Sequence, residues 1–175
     1  MLLPSGKDII MRFRYCPECG RKLAGRVIGD EGEIPYCERC KRPWFDMFST
    51  CIIALVLNDQ GEAALLCQDY ISDHYHNLVS GYMQPGETAE EAAKREIKEE
   101  IGVEVKELKP AGTYWFGKKD MLMIGYIAMA EKKELVLSGE VDSAVWVPVK
   151  EALSMVHPKG SISYALVELA LNGTF

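Results

Sequence analysis

The pattern of hydrophobic and polar positions changes near residue 48 and divides the chain into two parts. Residues 13–45 are rich in Cys, Gly, Pro, Arg and Glu and contain few aliphatic side chains. A segment of this size and composition needs a cross-link or a metal to hold its fold. From residue 50 onward the pattern is that of an α/β domain. We therefore expect an extension over residues 1–12, a small stapled unit over 13–47 and a larger domain over 48–175.

In the larger part, residues 51–57 form a continuous apolar run that predicts a buried strand. A turn at 58–61 and a second apolar run at 63–68 complete a predicted hairpin. Further strands are expected over residues 103–108, 112–116, 121–130 and 144–147, and a last helix over 163–171.

The strongest helix signal begins at Thr88. Thr88 and Glu91 have the spacing of a capping box, and Gly102 stands where a helix commonly ends. Four apolar residues recur at intervals of four and predict one stripe facing a core; they are Ala89, Ala93, Ile97 and Ile101. A neighbouring face then carries three carboxylates together; they are Glu96, Glu99 and Glu100.

Composition and charge limit the function classes. The chain has 175 residues, of which 48% are hydrophobic and 26% charged, so it is expected to fold as a globular protein. Its net charge of -6 has the wrong sign for a protein that binds mainly to nucleic-acid phosphates. The longest aliphatic run is far short of the ~20 residues that span a bilayer, and the first 15 residues do not form a signal peptide. We expect a cytoplasmic protein without a membrane partner.

Four of the six cysteines are paired closely along the chain. Two residues stand between Cys16 and Cys19, and two between Cys37 and Cys40. The two pairs are separated by 17 residues. Four thiolates on two tight turns suit tetrahedral zinc, and a site with four protein ligands is structural because no position is open for substrate. Redox chemistry is the alternative. The remaining cysteines, Cys51 and Cys67, lie in strand patterns and are expected to be small buried hydrophobes.

Three carboxylates at helix positions i, i+3 and i+4 repel one another, and a hard divalent cation that bridges them relieves the repulsion. Magnesium or manganese would be the natural occupant. A charged solvent-exposed face is the alternative, with Lys94, Arg95 and Lys98 as helical ion-pair partners.

The full spacing over residues 81–103 decides between these interpretations. The sequence GYMQPGETAEEAAKREIKEEIGV matches every fixed position of the pattern GX5EX7REUXEEXGU, in which U is aliphatic. This part of the chain therefore resembles the Nudix hydrolases. With the cysteine quartet before it, the chain over residues 14–171 is similar to the zinc-ribbon branch of bacterial NADH pyrophosphatases, with a shortened N-terminus. The resemblance implies an α/β/α sandwich with a mixed sheet, preceded by a zinc ribbon, and a homodimer.

The resemblance also implies roles for the matched residues. Glu96, Glu99 and Glu100 would coordinate Mg²⁺ or Mn²⁺, and one of them would also orient or deprotonate the attacking water. The Gly81 carbonyl would add a ligand. Glu140, six residues before Trp146, resembles the outlying acidic metal ligand of this branch.

The remaining matched positions would be structural or would contact substrate. Arg95 would form a salt bridge to Glu87 and orient the junction between loop and helix. After the motif, three aromatic residues could stack on a nucleobase or nicotinamide, or could pack in the core; they are Tyr114, Trp115 and Phe116. Only this aromatic centre is shared with the SQPWPFP element of the NADH pyrophosphatases.

The expected reaction is divalent-metal-dependent hydrolysis of the pyrophosphate bond in nucleoside diphosphate-linked compounds, of the NADH, NAD and ADP-ribose class, with release of a nucleoside monophosphate. Hydrolysis of nucleoside triphosphates is one alternative. A nucleotide-sensing or nucleic-acid-binding zinc-ribbon protein is another. Cleavage at RNA 5′ ends would need a local basic patch on an acidic protein, which the sequence offers in Arg12, Arg14, Arg21, Lys22 and Arg26.

Overall fold

A computed structural model describes residues 13–173 of the chain. The chain divides into two compact units, Met1–Phe48 and Ser49–Phe175, and each is described by itself. The extension expected over residues 1–12 lies outside the described residues. Among the helices that are described, none is long and apolar enough to cross a membrane.

The first unit contains a small antiparallel sheet of three strands in the order β1-β2-β3: β1 (Ala24–Val27), β2 (Glu33–Cys37) and β3 (Arg42–Pro43). Its apolar core is small. Cys16, Leu23 and Cys37 are buried, and Phe13 and Trp44 pack against them. This scarcity of buried side chains agrees with the need for a staple that the composition indicates.

The second unit is built around a seven-stranded sheet. Its strands are β4 (Ser49–Asn58), β5 (Glu62–Gln68), β6 (Ser72–Asn77), β7 (Val79–Tyr82), β8 (Val105–Phe116), β9 (Met121–Ala130) and β10 (Ser143–Pro148). The main path runs β10-β5-β4-β9-β8, while β6 pairs with β5 and β7 with β4. The pairing of β4 with β9 is parallel and every other pairing is antiparallel, so the sheet is mixed.

Three helices cover the two faces of this sheet: α1 (Ala89–Ile101), α2 (Val149–Met155) and α3 (Ile162–Asn172). Because successive strand residues point to opposite faces, β4 feeds two separate apolar clusters. Ile52, Ala54 and Val56 pack with α1. Cys51, Ile53 and Leu55 pack with α2 and α3. The predicted α/β/α sandwich with a mixed sheet is confirmed.

The structure differs from the sequence prediction at several elements. The expected strands at 103–108 and 112–116 are one strand, β8, whose register shifts between Pro110 and Thr113. Since β8 pairs only with β9, it is an edge strand and tolerates a proline. The strand β6, with sequence SDHYHN, is polar and largely exposed, and β7 has only four residues. Helix α2 has seven residues and no side-chain cap, so neither periodicity nor a capping signal revealed it.

Candidate active site

Helix α1 is fixed at both ends by local hydrogen bonds. The Thr88 hydroxyl accepts from the Glu91 backbone N–H at 3.2 Å, and the Glu91 carboxylate accepts from the Thr88 N–H at 2.8 Å. At the other end Gly102 adopts the left-handed conformation, with φ of 70°, and its N–H donates to the Lys98 carbonyl at 3.0 Å. These caps set the length and the start of the helix. They thereby fix the directions in which its glutamate side chains point from the helix axis.

The carboxylate of Glu96 lies directly against the backbone of Gly81. Gly81 pairs with Ile52 in the sheet, and a Cβ atom placed on it would be 2.0 Å from the Glu96 carboxyl carbon. Glycine leaves room for the carboxylate here, because a side chain at this position would displace it. This close approach places the Gly81 backbone at the carboxylate cluster.

Arg95 joins the loop before the helix to the carboxylates. Its guanidinium donates to both oxygens of Glu87, at 2.7 and 3.0 Å, a bidentate arrangement. It also donates to Glu96 at 2.6 Å and Glu99 at 3.0 Å, and to the Tyr82 carbonyl at 3.1 Å. Hydrogen bonding to Arg95 lowers the pKa of Glu87. The arginine thus lies at the junction between loop and helix, bonded to both.

Glu100 differs from its two neighbours because it is buried, at 5% exposure, whereas Glu96 is half-buried and Glu99 is exposed. Burial, followed by the charge on Glu96, raises the pKa of Glu100 to about 7. Within residues 13–173, its Oε2 atom is buried and has no hydrogen-bond partner. An unpartnered buried carboxylate oxygen beside a second carboxylate is what a divalent cation would satisfy. These residues therefore fit Mg²⁺ or Mn²⁺.

Glu140 comes to this cluster from the loop between β9 and β10. The Ser138 N–H donates to the Glu100 carbonyl at 3.2 Å, and the Glu140 N–H donates to the Ser138 hydroxyl at 3.3 Å. The loop therefore follows the C-terminal end of α1. The charge on Glu140 contributes to the raised pKa of Glu100, which places the two carboxylates within electrostatic reach.

The structure separates the three aromatic residues of β8. Trp115 pairs with Leu122, and Leu122 pairs with Thr50. Thr50 lies two residues before Ile52, which packs with α1. Because alternate strand residues share a face, Trp115 lies on the α1 face of the sheet. Trp115 is 56% exposed there. Tyr114 and Phe116 point to the opposite face and pack against the cluster under α2 and α3. Only Trp115 shares a face of the sheet with the glutamates.

Sequence reasoning missed two residues beside Glu100. Gln68 is 1% exposed and donates from Nε2 toward Glu100 Oε1 at 3.5 Å and the Tyr70 hydroxyl at 3.3 Å. Burial, followed by the charge on Glu100, raises the pKa of Tyr70. A signal for Gln68 was present, since it continues the core-facing series Ala64 and Leu66 as a polar residue.

The four cysteines of the first unit converge on one point. Their sulfur atoms all lie within 4.8 Å of one another, with Cys16 and Cys40 at 3.9 Å and Cys19 and Cys37 at 3.6 Å. Sulfurs around tetrahedral zinc, with Zn–S bonds of about 2.3 Å, lie about 3.8 Å apart. Although burial opposes it, hydrogen bonds from the Cys19 and Glu18 backbone lower the pKa of Cys16 to about 7, which favours the metal-binding thiolate. The quartet fits zinc.

The two turns that carry these cysteines share one geometry. Gly20 and Lys41 each follow the first cysteine of a pair by four residues, and both have positive φ, 69° and 56°. Their N–H groups donate to the Cys16 and Cys37 carbonyls at 2.9 and 2.8 Å. The two remaining cysteines lie elsewhere. Cys51 is buried, which raises the pKa of its thiol to about 11, and Cys67 is only half-buried, less than the sequence predicted.

Comparison with known proteins gives relatives that cover most of this chain. It is 30% identical over 159 residues to the NAD-capped RNA hydrolase NudC of Pseudomonas fluorescens, which aligns 89% of this chain with 55% of that protein. It is 33% identical over 150 residues to the NAD-capped RNA hydrolase ndx-9 of Caenorhabditis elegans, with 81% of this chain and 39% of the relative aligned. The chain thus spans about half the length of the curated relatives it matches.

Solved structures share the fold. A NUDIX hydrolase from Nitrosomonas europaea superposes with a TM-score of 0.72 at 17% identity, over 91% of this chain and 92% of that one. The NUDIX domain of Shewanella oneidensis NrtR, solved with ADP ribose, gives 0.62 at 18% identity, over 80% of this chain and 94% of that one. The NUDIX domain family matches residues 47–168, which include Gly81, α1 and Glu140. The chain belongs to the Nudix family.

Proposed function

We propose that this protein is a pyrophosphohydrolase that cleaves the pyrophosphate bond of nucleoside diphosphate-linked compounds of the NADH, NAD and ADP-ribose class. The observation that carries the proposal is the carboxylate cluster at the Gly81 backbone, where the buried Glu100 Oε2 atom has no partner among the described residues. A protein with a net charge of -6 repels a diphosphate unless a cation lies between them. The cluster supplies the place for that cation.

The residues that would hold Mg²⁺ or Mn²⁺ are Glu96, Glu99, Glu100 and Glu140, together with the carbonyl of Gly81. When bound, the cation screens the phosphate charge and makes a water molecule more acidic. One of the three helix glutamates orients or deprotonates that water. Arg95 keeps Glu87, Glu96 and Glu99 in fixed relative positions, because it donates to all three. Its role is structural and does not require contact with substrate.

Trp115 is the residue best placed to hold the base or the nicotinamide. It is exposed on the face of the sheet that carries the glutamates, and a flat aromatic ring binds a nucleobase by stacking, worth about 1–3 kcal/mol. Tyr114 is less suited, since its hydroxyl donates to the Ala111 carbonyl at 2.8 Å on the opposite face. The names of the relatives, which contain NAD, support the same class of substrate.

An RNA whose 5′ end carries NAD is the second candidate substrate. In the first unit the Glu18 and Glu38 carboxylates are paired with Arg42 and Lys41. Several cations of that unit have no carboxylate within 4.0 Å in the described part of the chain; they are Arg14, Arg21, Lys22 and Arg39. Tyr15 is 61% exposed and pairs with Lys22. A cation next to an exposed aromatic ring, as Lys22 is to Tyr15, suits single-stranded RNA.

The four cysteines of the first unit are proposed to hold a structural zinc ion, for the reasons of geometry given above. All four positions around the metal would be filled by protein sulfur, so the ion would stabilise the unit and take no part in hydrolysis. The family resemblance further leads us to propose a homodimer, which light scattering in solution tests. From the sequence we also propose a cytoplasmic location.

A hydrolysis screen tests the proposed function. The purified protein is given Mg²⁺ or Mn²⁺ with NADH, NAD, ADP-ribose, nucleoside triphosphates and a short 5′-NAD RNA, and the products are identified by mass spectrometry. We expect two monophosphate products from the dinucleotides. Release of pyrophosphate from triphosphates alone would contradict the proposal. Glu134→Gln, at an exposed glutamate outside the cluster, is the matched control for substitutions of the cluster glutamates.

A further inference from the structure

Gln68 is a polar residue at a position that the sheet reserves for apolar side chains. It is the last residue of β5, and Ala64 and Leu66 before it pack in the cluster under α1. With 1% exposure, its amide has given up water. Burying an amide costs free energy unless hydrogen bonds replace the lost water, so the contacts of this amide indicate why it is there.

Only one half of the amide is satisfied. The Nε2 atom donates toward Glu100 Oε1 at 3.5 Å and toward the Tyr70 hydroxyl at 3.3 Å. The Oε1 atom is buried and has no partner among residues 13–173. An unsatisfied buried oxygen destabilises a fold, because its desolvation is not compensated. For packing alone, an apolar side chain of the same shape would therefore serve better than glutamine.

Glu100 depends on this amide. In the described part of the chain, Gln68 is the side chain that donates to its carboxylate, and the polar Ser80 backbone nearby opposes the rise in its pKa. The charges nearby, Glu96 and Glu140, are of the same sign and push against Glu100. Without the donor, the carboxylate would turn away from these charges. With it, one oxygen is held and Oε2 stays unpartnered.

We propose that Gln68 is a positioning residue for Glu100. It holds the carboxylate so that the free oxygen is presented to the divalent cation, and it does so without touching the substrate. The inference rests on the proposed function, because it assigns Glu100 to a divalent cation. Groups that orient a metal ligand in this way typically change metal affinity by about 10–100-fold when removed.

The test is Gln68→Met, which keeps the length of the side chain and removes both polar atoms. We expect the dissociation constant for Mn²⁺, measured by electron paramagnetic resonance on the purified full chain, to rise about tenfold. We expect the melting temperature of the metal-free protein to stay equal or to rise, since a buried unsatisfied oxygen is removed. Gln60→Met, the same substitution at an exposed turn, should change neither quantity.

The two readouts separate positioning from packing. A Mn²⁺ dissociation constant within twofold of the unsubstituted protein, whatever the melting temperature, would overturn the inference. In a Glu100→Gln background, Gln68→Met should alter Mn²⁺ affinity by less than twofold, because the group that it positions is gone; a full tenfold effect there would also overturn it. If Gln68→Met does not fold, Gln68→Leu carries the same test.

Failure of the proposed function has a different signature. If the unsubstituted protein binds no Mn²⁺ at millimolar concentration and hydrolyses no dinucleotide, the assignment of the cluster is wrong, and the role of Gln68 is wrong with it. If the unsubstituted protein binds Mn²⁺ and cleaves NADH while Gln68→Met does both equally well, only the inference about Gln68 is wrong.

Discussion

The two units of this chain place their candidate metal ligands in opposite relations to the core. In the first unit, two of the three buried core residues are Cys16 and Cys37, so the ligands themselves form the core. In the second, apolar side chains of the strands and helices form a large cluster on each face of the sheet, and of the α1 glutamates only Glu100 is buried. A metal in the first unit would hold the fold, whereas a metal in the second would occupy a site that the fold already supports.

The two units also differ in net charge. Residues 1–48 contain nine Lys and Arg against seven Asp and Glu, a net charge of +2, and residues 49–175 contain 11 against 19, a net charge of -8. Four thiolates with one Zn²⁺ would add -2 to the first unit, which leaves it near neutral. The acidic unit is therefore the one that requires cations to approach a diphosphate.

Cys37→Ser tests whether a metal holds the fold of the first unit, and we expect it to have the largest effect. Structural zinc contributes about 10–16 kcal/mol to the folding of small zinc domains, and little other apolar core exists in this unit. We expect loss of bound zinc, measured by atomic absorption, and loss of proteolytic protection within residues 13–47. Hydrolysis of NADH should stay within threefold. Cys67→Ser, outside the quartet, is the control, and zinc loss without proteolytic sensitivity would contradict the expectation.

Glu100→Gln tests the candidate cation site of the second unit. The substitution keeps the shape and removes a charge from the cation site, so we expect kcat/KM to fall about 100-fold or more. The metal-free protein should melt at the same or a higher temperature at pH 8, since a buried carboxylate without a full set of partners has been neutralised. Activity within threefold of the unsubstituted protein would remove Glu100 from the site.

Gly81→Ala tests the position of a candidate ligand in the second unit without changing any charge. The added Cβ would lie 2.0 Å from the Glu96 carboxyl carbon, so the carboxylate must move. We expect kcat/KM to fall about tenfold, through misplacement of a ligand, with zinc content unchanged. Gly139→Ala, where an added Cβ meets nothing within 4 Å, is the matched control. Equal activity of the two variants would mean that the contact with Gly81 is not needed.

Trp115→Ala should have the smallest effect and should act on substrate binding. Loss of one stacking contact, worth about 1–3 kcal/mol, is expected to raise KM for NADH at least fivefold while kcat changes little. Steady-state kinetics measure this division. Phe45→Ala, the same truncation at an exposed aromatic ring outside β8, is the comparison variant. A fall in kcat with unchanged KM would show that Trp115 does not hold the substrate.

Features that depend on neighbours along the chain were predictable from the sequence. The ends of α1 follow from Thr88, Glu91 and Gly102, which form hydrogen bonds within a few residues of themselves. The approach of Gly81 to Glu96 was implied by the resemblance to the Nudix pattern. The cysteine quartet followed from two short spacings, because each pair lies on one turn.

The structure decided what depends on strand order and register. The helical periodicity placed Glu96, Glu99 and Glu100 on one face without distinguishing them. Glu100 alone of the three is buried, because the loop after β9 and the end of β5 pack against the helix. For the aromatic triad the sequence left open stacking on the substrate or packing in the core, and alternation along β8 divides the two roles by turning Trp115 and Tyr114 to opposite faces. A run of three residues does not by itself indicate which of them lies on the face of the sheet that carries the glutamates.

The sequence by itself determined the Nudix helix and the cysteine quartet, since short spacings encode them, and the resemblance carried by those spacings implied the α/β/α class. Only the tertiary structure brought Gln68 to Glu100, across 32 positions of the chain. Such contacts arise when a whole sheet assembles and its strand pairings add together, so no single segment carries the information.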